Sequence, residues 1–428
     1  MKFKKILSIG ILATMMLTFT ACGNKNTTAE GSSNKGSKDK LVMAIWDKNQ
    51  LDGLEQITDD FTKETGINVE IQVTPWDQYW TMLEAGASGG ELPDVFWMHS
   101  NEFTKYAKYD ILLDLTDKIK DSQKVDLTKY PKDIVDLYNY DSKQFAVPKD
   151  IDTIGLWYNK KMFDEAGIAY PDATWTWDTF REAAKKLTKA DGSQYGYSLN
   201  PTSTQDGWYN MVYSMGGSIL SEDSKQSTMN DKNTIKALNF VTDMIKDGSM
   251  PPYEVISENG ADALFTSGKV AMVFQGSWMV NYLTTNEYVA ANGDVAVLPK
   301  DAQTGNRVSL YNGLGWAAAA NTSNPDAAWQ LIEYLGSKDA QQKQSDLGVT
   351  MSAYEGTSDN WTNLNKNFNL QAYLDMKENL VIRPHSNNTL AWENYTCETL
   401  IDVWRGNTSV EDATKTITNR VNELLSQE

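Results

Sequence analysis

The amino-acid sequence predicts an α/β fold with a mainly parallel sheet, in a chain long enough for two domains. Its 428 residues exceed what one ordinary hydrophobic core serves. Apolar strands alternate with amphipathic helices from Leu41 onward, a pattern that lays helices against a sheet. A content of 41% hydrophobic and 22% charged residues suits a globular chain in water.

The first segment stands apart from that fold. "MKFKKILSIGILATMMLTFTAC" places Lys2, Lys4 and Lys5 before an apolar stretch from Ile6 to Phe19, then small residues before Cys22. This is the layout of a secretory signal peptide, residues 1–21, and its apolar core is short for a membrane span. "FTAC" with Gly23 resembles the bacterial lipobox, which implies that Cys22 becomes the lipidated first residue of the mature chain. Beyond that cysteine, residues 22–40 carry no large apolar side chain and read as a flexible tether.

Folding starts at "KLVMAIWD", where Leu41 to Ile45 form an apolar strand ending in Trp46 and Asp47. Leu51, Leu54, Ile57 and Phe61 recur at helical spacing until Gly66 stops the helix. Ile67, Val69, Ile71 and Val73 alternate as a half-buried strand, a helix follows around Tyr79 to Ala85, and "DVFW" is a short buried strand. "FAVPKDIDTIGLWYNK" gives a strand to Val147, a break at Pro148–Asp152 and a second strand from Thr153 to Tyr158. Thr176 N-caps an amphipathic helix whose inner face is Trp177, Phe180, Ala184 and Leu187. Further helices are expected at 205–215, 231–247, 259–266 and 325–336. "VAMVFQGSWMV" is a core strand broken at Gly276-Ser277, delivering Trp278 just beyond the turn. Ligands gather at the carboxyl ends of strands in such sheets, so Trp46-Asp47-Lys48, Trp97-Met98-His99 and Trp278 are the exits to inspect.

Composition narrows the chemistry. Acidic residues outnumber basic ones, 57 against 39, and such a surface repels nucleic-acid phosphates and anionic lipid headgroups. Two histidines are too few for most imidazole-based sites, whereas 14 Trp beside 20 Tyr is a surplus suited to stacking on sugars. Cys397 has no partner once Cys22 is lipidated, so it reads as a buried small hydrophobe. "SGKV" lacks the spacing of a phosphate-binding loop, and GxSxG, CxxC and HExxH are missing. No catalytic residue, metal or cofactor is named.

Six stretches in order then carry a resemblance. "DDFTKETGINVEI", "PDVFWMH", "FAVP…LWYNKKMFDEAGI", "SGKVAMVFQGSWM", "NGLGWAAAANTSNPDAAWQLIEYL" and "VWRGNTSVEDATKTITNRVNELL" resemble the family 1 extracellular solute-binding proteins of bacterial ABC importers. That group contains the maltodextrin-binding proteins, and the likeness runs from about Leu41 to Leu425. It implies a two-lobe periplasmic-binding-protein-like α/β fold with a hinge and an interlobe cleft. One lobe would hold 41–149 plus 314–352, the other 153–313 plus 353–428. Trp278 in "GSW" and Trp392 in "LAWENY" match positions of stacking tryptophans in maltodextrin-binding proteins. "FWMH" is similar to "FWAH" of that group, which nominates Trp97; the charged residues that follow there are Ser100 and Asn101 here. His99 reads first as a structural hydrogen-bonder and second as a sugar contact.

The remaining candidates keep two readings each. Asp152 falls where the family has an acidic residue beside "YNK", accepting sugar hydroxyls or capping a loop. Asp47 and Lys48 either bind hydroxyls or are solvated, and Trp208 faces ligand or core. Asn312 and Trp316 lie at a second lobe crossing, where Gly313 and Gly315 permit close backbone approach. Arg383 holds a ligand or forms a structural salt bridge, whereas the tryptophans at 157, 175, 177, 329 and 404 are assigned to core. The resemblance implies a monomeric, lipid-anchored protein that captures an oligosaccharide by lobe closure, without chemistry, and delivers it to ABC permease transmembrane subunits. Another polar solute such as a polyol phosphate is the alternative. More remote is a glycoside hydrolase using Asp152 and Glu393 as its carboxyl pair.

Overall fold

Residues 40–428 are described by the computed structural model of the chain. The expected signal peptide, the lipidation site Cys22 and nearly all of the tether lie outside them; Lys40, assigned to the tether, opens the first strand. Eleven of the strands among the described residues set the architecture. In chain order they are β1 (Lys40–Ile45), β2 (Asn68–Val73), β3 (Val95–Met98), β4 (Ala146–Pro148), β5 (Ile154–Asn159) and β6 (Tyr195–Ser198). Then come β7 (Val270–Gly276), β8 (Gly293–Ala296), β9 (Ser309–Tyr311), β10 (Gly315–Ala318) and β11 (Leu380–Ile382).

They make two separate main sheets, ordered β2-β1-β3-β10-β4 and β8-β5-β7-β6, with β9 and β11 pairing apart from both. Each sheet carries helices, so the architecture is mixed α/β in two lobes. The expectation of mainly parallel pairing holds for β1 with β2 and β3, for β6 with β7 and for β9 with β11, and fails elsewhere. β10 runs antiparallel to both β3 and β4, and β5 runs antiparallel to β7 and β8. The physical reason is topological for β10: it enters the first sheet on the chain's return from β9, against the direction of the strand–helix–strand units.

Local signals were accurate. The helix Leu51–Thr65 ends at Gly66 with φ 76°, the left-handed cap that glycine tolerates. Thr176 accepts from the Thr179 N–H to cap the helix Trp177–Leu187, whose Trp177, Phe180, Ala184 and Leu187 are buried. The Tyr79 phenol, on the helix Trp76–Gly89, donates toward the carbonyls of Ala44 (3.3 Å) and Trp97 (2.8 Å), clamping the ends of β1 and β3 together.

Three crossings join the two sheets, and they meet. Asp152 bridges to Asn312, and Asp150 bridges to Ser352. Asp152 N–H donates to the Asn312 carbonyl (2.8 Å), Ile151 N–H to Met351 (3.2 Å) and Lys149 N–H to Leu314 (2.7 Å). Gly313 is required for this closeness: a Cβ there would lie 2.1 Å from the Asp150 carbonyl oxygen. Inside the junction the Lys149 ammonium, fully buried, meets the Asp150 carboxylate at 2.5 Å. It also donates to Gln50 Oε1 (2.9 Å) and sits 4.7 Å from the Trp97 ring centroid. Alternation along these segments turns Asp150, Asp152 and Asn312 to one side and Ile151 and Tyr311 to the other. On that rear side Ile151, Tyr311 and Ser352 line a hollow of about 350 Å³, where the Tyr311 hydroxyl donates to Asp133 (2.6 Å).

Replacing Lys149 by Met would leave Asp150 charged, buried and unpaired. Denaturant unfolding of Lys149→Met should therefore show a loss of about 3–5 kcal/mol, and a loss under 1 kcal/mol would contradict the pairing.

Candidate functional site

The ends of strands from both sheets open onto one cavity of about 660 Å³. From the first sheet come Trp46 and Asp47 after β1, Trp76 and Asp77 after β2, and His99 and Asn101 after β3. From the second come Asn200 and Thr202 to Asp206 after β6, and Trp278 after β7. The crossings supply Asp150, Asp152, Asn312 and Leu314, and Arg383 and Glu393 complete the wall.

Three of the exits, those after β1, β3 and β7, are tied to a crossing residue. Gln50, which accepts from Lys149, donates to Asp47 Oδ2 (3.1 Å). Asn312 accepts from the Ser100 hydroxyl (2.9 Å) and lies 3.2 Å from His99 Nε2. Ser277 Oγ donates to Asp152 Oδ1 (2.9 Å), and Ser277 N–H to the Thr153 carbonyl (3.0 Å). The break of β7 at a glycine has a steric cause: the Trp278 indole folds back over Gly276, where any Cβ would fall 2.0 Å from the ring. Gly276 has an ordinary φ of −75°, so its role is space.

An aromatic cluster supports the first-sheet wall. Trp46 is half-buried, with ring centroids of Trp97 at 4.8 Å and of Trp76 and Tyr79 at 5.0 Å, all near perpendicular. Opposite, Arg383 is buried and paired with Glu393. Its guanidinium also donates to Thr204 (3.2 Å), which itself donates to Glu393 (2.9 Å), and lies 3.4 Å from His99 Nε2.

Burial dominates the protonation states. It raises Asp152 well above the usual carboxylate range, with the charge of Asp150 adding to the effect and Lys149 opposing it. Burial likewise raises Asp206, whose partner is Ser203. Burial, then the Arg383 charge, depresses His99 to about 3, so its imidazole is neutral. Asp47, Asp77, Asp150, Asp152, Asp206 and Glu393 face the cavity against one guanidinium that is already paired. Such a wall repels anions, accepts hydroxyl donors and offers indole faces. Among the described residues no group of three or more His, Cys, Asp or Glu side chains is arranged to hold a metal ion.

Of the twelve expected binding residues, Trp46, Asp47, His99, Asp152, Trp278, Asn312 and Arg383 come together here. Five do not line it. Lys48 is exposed in a short turn capped by Asp47. Trp97 and Trp316 are directly paired across β3 and β10, so both indoles point into one face of the sheet and are fully buried. Trp97 instead braces Trp46 and covers Lys149. Trp208 is buried against Tyr209, ring centroids 4.5 Å apart. Trp392 is fully buried on the helix Thr389–Trp404, its indole N–H donating to Ser386 (2.9 Å). Cys397 is a free, buried thiol bordering the cavity, and burial raises its pKa. Trp76, Asp77, Asn101 and the stretch after β6 were missed, and Glu393 was named only as a carboxyl of the hydrolase alternative. For Trp76 and the β6 stretch the signal was available, because both follow strand ends.

Comparison with known proteins points in the same direction. Residues 47–342 match the family described as bacterial extracellular solute-binding protein. The galactooligosaccharide-binding protein of Bacillus subtilis (strain 168) is 26% identical over 352 residues, covering 79% of this chain and 78% of its own. The multiple sugar-binding protein of Streptococcus mutans serotype c is 23% identical, covering 83% of each chain. Among solved structures, an ABC substrate-binding protein from Listeria monocytogenes in complex with cycloalternan superposes with TM-score 0.82 at 24% identity, covering 90% of this chain and 99% of its own.

A pH effect arises from Glu102 in the helix Ser100–Lys108. Burial lifts its carboxyl from 4.5 to about 7, with Lys105 pulling down, Glu84 pushing up and Arg383 pulling down. The native state thus holds this proton more tightly than the unfolded chain. Its contribution to stability is full below about 4.5 and is lost as pH rises through 7. Glu102→Gln should melt higher than the parent chain at pH 8, with the gap closing toward pH 4.5; a pH-independent gap would refute this.

Proposed function

Because this chain belongs to the bacterial extracellular solute-binding protein family, we propose that it captures a neutral saccharide in the cleft and hands it to an ABC importer. The observation that carries the reading is the cavity wall itself: indoles from both sheets line it together with carboxylates and amides, with no free cation among the described residues that line it. Pyranose rings offer C–H faces to indoles, and their hydroxyls need partners, because each one buried unpaired costs about 1–3 kcal/mol. The carboxylate excess opposes an anionic solute such as a polyol phosphate. The names of the related binding proteins, which refer to galactooligosaccharides and multiple sugars, point the same way.

Capture works by closure. Residues 41–149 with 314–352 form one rigid lobe, and 153–313 with 353–428 the other. The solute touches both, so it binds the closed form better and shifts the equilibrium toward it. Asp47, His99, Asp152, Asn312 and Arg383 take the hydroxyls, and Trp46 and Trp278 take the ring faces. The protein acts as a monomer and does no chemistry on its solute; the carboxyl pair of the hydrolase alternative is engaged elsewhere, Glu393 by Arg383 and Asp152 by Ser277. Among the described residues no helix is long and apolar enough to cross a membrane. Retention at the cell surface comes from lipid on Cys22.

Tryptophan fluorescence and thermal shift across a neutral glycan panel test the reading. A binding glycan at a hundred times its Kd should stabilise the fold by about 2.7 kcal/mol. Trp278→Ala should fold normally and weaken that glycan by about 1.5–3 kcal/mol, ~10- to 150-fold. Unchanged affinity would remove Trp278 from the site. Separately, Cys22→Ser should abolish fatty-acid labelling in cells and release the protein into the medium; labelling that persists would exclude this anchor.

A further inference from the structure

Trp76 is an unusual member of the cavity wall. It is 39% exposed, whereas Trp46 and Trp278 are half-buried. Pro75 precedes it, and it opens the helix Trp76–Gly89. Its indole is nevertheless held firmly: Trp46, Trp80 and His99 pack on it at centroid distances of 5.0, 5.3 and 5.4 Å, inclined at 86°, 82° and 81°. A rigid indole left open to water on the edge of a cavity is a prepared contact surface rather than core.

The angle to Trp46 constrains what can lie there. A pyranose stacks by laying its ring parallel to an indole. Two indoles at 86° therefore cannot both stack on a chain whose successive rings are coplanar. Resting on the proposed saccharide cleft, we infer that Trp76 is a second stacking platform and that the solute is an oligosaccharide bent between adjacent units. One unit lies on Trp46 and the next, turned by about a right angle, lies on Trp76. Linkages through an exocyclic carbon, which add a rotatable bond, permit that turn. Extended β-(1→4) linkages hold neighbouring rings flat and engage one platform only. Asp77, beside Trp76 on the same rim, is placed to accept hydroxyls of the outer unit.

Calorimetric titration of the full mature chain tests this. The probes are glucose and galactose, the α-(1→6) disaccharides isomaltose and melibiose, and the β-(1→4) disaccharides cellobiose and lactose. The parent chain should favour an α-(1→6) disaccharide over its β-(1→4) counterpart by ~10-fold, and Trp76→Ala should erase that preference. The same variant should weaken the α-(1→6) disaccharides by a larger factor than the monosaccharides, and Trp76→Phe should restore most of the preference. An equal loss for mono- and disaccharides, no loss at all, or a preference for the flat disaccharides would overturn the bent-solute inference while leaving the saccharide cleft standing. If no probe binds the parent chain, or Trp278→Ala changes nothing for any of them, the cleft reading fails and this inference with it.

Discussion

The Lys149 ammonium, sealed beneath the cleft between the Asp150 carboxylate, the Gln50 amide and the face of Trp97, is the constraint on which the rest of the structure depends. A cation of this kind out of water is tolerated only when its partners are arranged around it. Those partners belong to different parts of the chain, so satisfying one charge aligns several elements together. Asp150 also accepts from the Leu314 N–H (2.7 Å), which draws in the second crossing, and Gln50 passes the connection on to Asp47 at the end of β1. Polar contacts in the junction thus decide where the apolar strand ends finish.

From that junction the cleft assembles almost by itself. Strand ends carry the side chains that a sheet has no room for, and two sheets whose ends converge present them to each other. Ser277 and Asp152 fasten one side, while His99, Ser100 and Asn312 fasten the other. The wall residues do little of their own positioning. Trp46 is steadied by Tyr79 and Trp97 from below, and Trp278 lies in a recess that exists because residue 276 lacks a side chain. The buried neutral His99 beside a charged Arg383 obeys the same pattern: the fold keeps its cation by pairing it with Glu393 and keeps its imidazole uncharged by enclosure.

Much of this was legible in the sequence because it rests on short-range rules. Helical spacing, the Thr176 cap, the Gly66 stop and the break at Gly276 are local, and each matches the structure. The strand-end rule found Trp46, His99 and Trp278, and applied to β2 it would also have found Trp76. What failed was long-range. Trp97 and Trp316 look like cleft residues until the antiparallel pairing of β3 with β10 sets them opposite one another inside a sheet. No local pattern announces that β10 returns in that direction. Trp392 and Trp208 failed for a related reason: each lies on a helical segment whose buried face is chosen by neighbours remote in sequence. Glu393 and Arg383, by contrast, became interpretable only together, once ten residues of chain folded one against the other.

The crossing strands have two sides, and under the proposed closure that would make them a see-saw. Asp150, Asp152 and Asn312 face the front, while Ile151, Tyr311 and Ser352 face the rear hollow, where Tyr311 reaches Asp133. Under the proposed closure these strands would be the fulcrum, and a swing that pinches the front would spread the back. The firmness of the grip would then be weighed against a strut on the far side of the pivot, made by the Tyr311 phenol and the Asp133 carboxylate.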